Sequence, residues 1–135
     1  MQTFLPYKDF KKTAKTLDYR RLGKQRLEAK VLIEILSNPS DKKKGWINHP
    51  ATKMWRGYLE ALKLYYDTIV EEWINRGYNN TMPMYIVNRS NVKLPHWLDE
   101  DFCSRHRSAL LYKDAEYYGK YNWKEEAKLD YRWGN

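Results

Sequence analysis

The chain has 135 residues, 42% of them hydrophobic, which is enough for the core of one domain and leaves little room for two. Its apolar runs are far shorter than a bilayer span, and MQTFLPYKDFKK at the amino end lacks the apolar stretch of a secretory signal, so a soluble cytoplasmic protein is expected. A formal charge of +8, with 12 Tyr and 6 Trp, favours a polyanion as partner, and a single cysteine, Cys103, excludes an internal disulfide.

In chain order, the first helix is predicted over Leu17 to Leu36. SNPSDKKKG stops it, and Lys42, Lys43 and Lys44 make a basic loop suited either to solvent or to phosphate. The second begins at a cap on Asn48 or His49 followed by Pro50, and is predicted to run unbroken to Gly77. Trp55, Leu59, Leu62, Tyr66, Ile69 and Trp73 recur along it at three- and four-residue steps, the spacing of a buried stripe. Residues 78–98 contain Pro83 and Pro95 and read as irregular. A third helix is predicted from Asp99 to Lys113, with acids in its first turn and Phe102, Leu110 and Leu111 toward the core. The tail from Asp114 mixes aromatics and charges and has room for one or two helical turns. No strand pattern of useful length occurs. The expectation is an all-α single domain, residues 1–135, of about three main helices and an irregular aromatic-rich tail.

The first helix raises the chemical question. At 100° per residue, Arg26, Lys30 and Glu34 share one sector, read as the solvent face. Leu22, Ala29, Leu32, Ile33 and Leu36 fill the opposite sector. Arg21, Gln25 and Glu28 project on the packing side too, in line with Leu32 and Ile35. A carboxylate against a core wall is costly unless it is paired or used. The patch therefore opens onto a cleft, or Glu28 forms a buried salt bridge to Arg105, Arg107 or another cation.

Other features are less specific. His49, His96 and His106 are scattered, and Cys103 with His106 makes only a pair, so no metal site is expected. There is no glycine-rich phosphate loop and no nucleophile elbow. SRHRS sets Arg105, His106 and Arg107 on successive helix positions, suited to phosphate binding or to a solvated face with His106 against an aromatic. YYGKYNW, Tyr117 to Trp123, interleaves rings with Lys120 and can stack on bases or pack onto the helices. A chain-terminal α-amine is a weaker base than a lysine, is partly neutral at physiological pH, and can form an imine with a sugar aldehyde. Gln2 is too large for ready removal of the initiator residue, so the candidate amine is that of Met1.

Four ordered blocks carry a resemblance: MQTFLPY at Met1–Tyr7, RLGKQRLEA at Arg21–Ala29, NHPATKMWRGY at Asn48–Tyr58 and HRSALLYKDAEYYG at His106–Gly119. With EEWINRGYNN, they make the chain similar to the pyrimidine-dimer DNA glycosylases of the phage endonuclease type, in a branch of shorter bacterial and phage members. The resemblance implies an all-α repair enzyme without metal or organic cofactor. In that family an N-terminal amine attacks the sugar carbon bearing the 5′ base of a cyclobutane pyrimidine dimer. The base leaves, an imine forms, and elimination can nick the strand as in an apurinic-site lyase. The acid of the family's first helix matches Glu28. Arg21, Lys24, Gln25, Arg26, Arg105, His106 and Arg107 are expected to line the DNA-facing cleft, with Tyr118 and Lys120 of the tail beside the DNA. The partner implied is damaged or modified double-stranded DNA, bound by a monomer and away from any membrane. Two alternatives stay open: a DNA-binding module of this fold without catalysis, and a glycosylase for a different modified base.

Overall fold

A computed structural model describes residues 1–38 and 47–134; the lysine run Lys42–Lys44 lies outside them. Among the described residues there are six α-helices and no strand. The first, α1 (Phe10–Thr16), was not anticipated. Its signal is Asp9, whose carboxylate caps it by accepting from Lys11 N–H at 2.9 Å and Lys12 N–H at 3.3 Å. Asp18 caps α2 (Tyr19–Ser37) in the same way and sets its start two residues beyond the predicted Leu17.

The long second helix is divided. Pro50–Trp55 forms α3, with His49 as its cap, and Leu59–Asn75 forms α4. Between them Gly57 has φ +84°, a left-handed conformation that glycine alone adopts without steric cost. The buried stripe survives the break, because Trp55, Leu62, Tyr66 and Ile69 are all fully buried. α4 ends as predicted at Gly77, φ +88°. Gly77 N–H bonds to Ile74 O and Tyr78 N–H to Trp73 O, and the Tyr78 ring packs on Trp73 at 4.5 Å, which together make a Schellman stop with its apolar clasp.

Residues 78–98 contain only a 3₁₀ turn, Arg89–Asn91. The buried Asp67 carboxylate holds this segment by accepting from Tyr85 N–H at 2.8 Å and Val87 N–H at 3.2 Å. Asp99 caps α5 (Glu100–Lys113), and α6 (Ala115–Tyr118) runs into a 3₁₀ turn at Gly119–Tyr121. The remaining tail has no regular structure and lies along α5, where Lys128 N–H bonds to Ser108 O.

The centre of the fold is α2 packed on α4. Gly23 lets them approach closely: a Cβ there would lie 3.0 Å from the Trp73 ring. Leu22, Ala29, Leu32, Ile33 and Ile35 are buried as the wheel requires. The predicted solvent face is corrected. Arg26 donates to Asn80 Oδ1 at 2.7 Å and lies over the Trp73 ring, and Lys30 donates to the Tyr85 hydroxyl at 2.8 Å. Residues 78–87 fold over that flank, so of the predicted face Glu34 alone is exposed, in a strip with Arg20, Lys24 and Leu27. No helix among the described residues is long and apolar enough to cross a membrane.

Candidate active site

The site forms where the first five residues cross α2. Gln25 is fully buried, and its amide uses every valence it has. Its Nε2 donates to Gln2 O at 2.9 Å and to Glu28 Oε2 at 3.0 Å. Its Oε1 accepts Phe4 N–H at 3.0 Å and the Tyr65 hydroxyl at 2.6 Å. Burial holds the Tyr65 phenol well above its ordinary range, so it stays a donor. Gln25 thus orients both the amino-terminal segment and Glu28.

Glu28 is half-buried, and its Oε2 also accepts the Gln2 N–H at 3.4 Å. No ion pair links it to a described residue. The buried salt bridge that the sequence left open is therefore not what holds it, and its carboxylate lines a cleft of about 510 Å³. The Met1 nitrogen is three bonds from the Gln2 nitrogen, which keeps it within about 8 Å of Glu28 Oε2. His49 lies on the same side: burial, and then the positive charge of the amine, lower its pKa.

Arg20, Arg21, Lys24 and Lys113 supply the cleft's cations, against Asp18, Glu28 and Asp114. Arg21 is committed to Asp18 at 3.2 Å. Burial disfavours the Asp18 carboxylate, but the Tyr118 hydroxyl and Arg21 outweigh this and hold its pKa below the usual value. Arg20, Lys24 and Lys113 are exposed residues of the cleft lining.

Of the residues expected in this cleft, Arg21, Lys24, Gln25 and Glu28 are brought together. Arg26 is not, being turned to Asn80 and Trp73 on the other flank of α2. Of the two SRHRS readings, phosphate binding is corrected, while His106 does pack against aromatic rings. His106 is fully buried between the rings of Phe102 and Tyr131, at 4.0 and 4.3 Å. Its Nδ1 accepts Leu5 N–H at 3.0 Å, which places its proton on Nε2, 3.1 Å from Arg132 O. Burial lowers its pKa to about 3, so it is a neutral core residue. Arg107 is buried and bonds Glu125, Glu100 and Pro6 O. Arg105 is exposed but paired with Asp101 and Asp130, away from the cleft. Tyr118 is also corrected: it is wholly buried, its hydroxyl donating to Asp18. Lys120 is exposed, 3.9 Å above the Tyr117 ring.

Sequence reasoning missed Arg20, although its four-residue spacing from Lys24 was visible. It also missed Lys113, Asp114, Tyr65 and Tyr131, which reach the site only through the packing of other elements.

The geometry defines a class: a small helical protein whose amino end is bound over a half-buried carboxylate at the edge of a cationic cleft. A family model described as pyrimidine dimer DNA glycosylase matches residues 1–86, and the chain belongs to that family. That membership indicates a DNA repair glycosylase with DNA as substrate. No curated protein and no solved structure matches the chain.

Proposed function

We propose that the protein excises a damaged or modified pyrimidine from duplex DNA through an imine between the Met1 amine and the deoxyribose. The observation that carries this reading is the bond from Gln2 N–H to Glu28, which ties the chain's amino end to the carboxylate. The Met1 nitrogen donates its lone pair to C1′, and the bond from C1′ to the base breaks. The base leaves with that electron pair and takes up a proton. The amine nitrogen then gives up its proton as the sugar opens, C1′=N forms, and O4′ is protonated. Glu28 carries that proton from nitrogen to O4′. Loss of a C2′ proton and departure of the 3′ phosphate would follow as the lyase step.

Arg20, Lys24 and Lys113 would hold phosphates flanking the sugar, supplying position rather than sequence. Reaching C1′ requires the nucleotide to leave the stack, which is least costly at a damaged step. One chain supplies all these groups, so a monomer suffices.

Borohydride trapping tests the reading. Wild-type protein with an abasic or dimer-bearing duplex should give a covalent adduct, abolished by acetylating the Met1 amine. A protein that binds these duplexes and never traps would be a binding module and not an enzyme. Duplexes with other modified pyrimidines, assayed in parallel, identify the base.

A further inference from the structure

Residues 2–5 have no strand or helix partner, yet their backbone is held at seven points, each by a side chain. Those side chains come from α2, α4, α5 and the carboxyl-terminal tail. The tail's contribution is Tyr131. Its hydroxyl donates to Thr3 O at 2.9 Å and accepts Thr3 N–H at 3.3 Å, so one oxygen clamps both polar groups of a residue two positions from the amine.

Tyr131 is itself held on both sides. Lys128 N–H bonds to Ser108 O at 3.3 Å, and Arg132 O accepts from the His106 ring at 3.1 Å. The Arg132 guanidinium bridges Asp99 and Asp101, at 3.0 and 2.9 Å. Gly134 lies so close to the Trp97 ring that a Cβ there would overlap it. The Tyr131 ring stacks on His106 and meets Phe4 edge-on at 5.7 Å. All of these tail and α5 residues lie beyond the matched residues 1–86.

Chain ends fray unless they are tied down, and a nucleophile misplaced by one ångström loses much of its rate. We infer that the carboxyl-terminal segment is a strap and that Tyr131 is a positioning residue for the Met1 amine, an inference that rests on the amine acting as the nucleophile proposed above. Residues 128–134, which follow the YYGKYNW stretch expected beside DNA, fix the amino end from within.

The test uses the full chain and two tyrosine variants. Tyr131→Phe keeps the ring and deletes the clamping oxygen. Tyr66→Phe is the control, deleting a hydroxyl that donates to Pro83 O, remote from Thr3. Single-turnover trapping on an abasic duplex should slow about tenfold or more in Tyr131→Phe, with duplex affinity within about twofold of wild type. Tyr66→Phe should keep both. A second readout needs no chemistry on DNA: the Met1 amine is reductively methylated with ¹³C and the mobility of its methyl groups is read from NMR relaxation. That mobility should rise toward that of a short unstructured peptide in Tyr131→Phe and stay at the wild-type value in Tyr66→Phe. Wild-type trapping and relaxation in Tyr131→Phe overturn the strap. If wild type makes no adduct while Tyr131→Phe still frees the methyl groups, the strap stands and the nucleophile assignment fails. If Tyr131→Phe does not fold, Lys128→Pro, which deletes the anchoring N–H, decides by the same readouts: a slowed rate and raised mobility support the strap, and unchanged values overturn it.

Discussion

Gln25 and Glu28 lie one turn apart on α2 and share a 3.0 Å hydrogen bond, and the same amide holds Gln2 and Phe4. The acid and the amino end are thus positioned by one buried side chain. Replacing Gln25 by Leu leaves Gln2 O and Phe4 N–H unpaired in the interior. A loss of about 2–6 kcal/mol is expected, at about one to three per orphaned group. Urea unfolding measures it, and a change under about 0.5 kcal/mol would count against this arrangement.

Glu28→Gln keeps the size of the side chain and removes its charge. Folding stability should change little, because no ion pair with a described residue is lost. Formation of the trappable imine should slow about a hundredfold, the usual worth of a positioned proton carrier. Single-turnover rates on a dimer-bearing duplex provide the measurement, and an undiminished rate removes Glu28 from the mechanism.

The buried His106 makes stability depend on pH. In the unfolded chain it binds a proton near pH 6.5, and in the fold not until about pH 3. Its contribution is therefore complete above pH 6.5 and is lost as pH falls toward 3, at a limiting slope of about 1.4 kcal/mol per pH unit. His49, also lowered, adds in the same direction. Urea midpoints measured from pH 7.5 to 5 should fall, and a flat profile would contradict a neutral buried His106.

Arg20, Lys24 and Lys113 line the cleft with exposed charge. Replacing any of them by Ala should weaken duplex binding and reduce the slope of log K against log salt by about 1 if it contacts one phosphate. Arg105→Ala is the contrast, since that side chain is paired elsewhere. Fluorescence anisotropy between 50 and 200 mM salt, on the order of the range where such slopes are read, separates the two cases.

Gly57→Ala tests the break between α3 and α4. Space is open around a Cβ at this position, but φ is +84°, so the cost is conformational and about 1 kcal/mol. Thermal unfolding reads it directly, and an unchanged or raised midpoint would mean the turn is not held at positive φ.

What the amino-acid order settled was local. Helical periodicity placed α2 and the buried stripe of α3 and α4, the acidic turn beginning at Asp99 placed α5 to within one residue, and Gly77 marked an end that the structure keeps. The wheel alone turned Arg21, Gln25 and Glu28 to one side, because a helix fixes side-chain direction by spacing and nothing else. Tertiary structure decided the rest. Whether Arg26 meets solvent depends on residues 78–87 folding over it, and whether His106 is a surface base depends on Tyr131 and Phe102 closing around it. Burial and hydrogen-bond partners are properties of contacts between segments far apart in the chain. No window of sequence contains both partners, so only the packed molecule shows that its last residues hold its first.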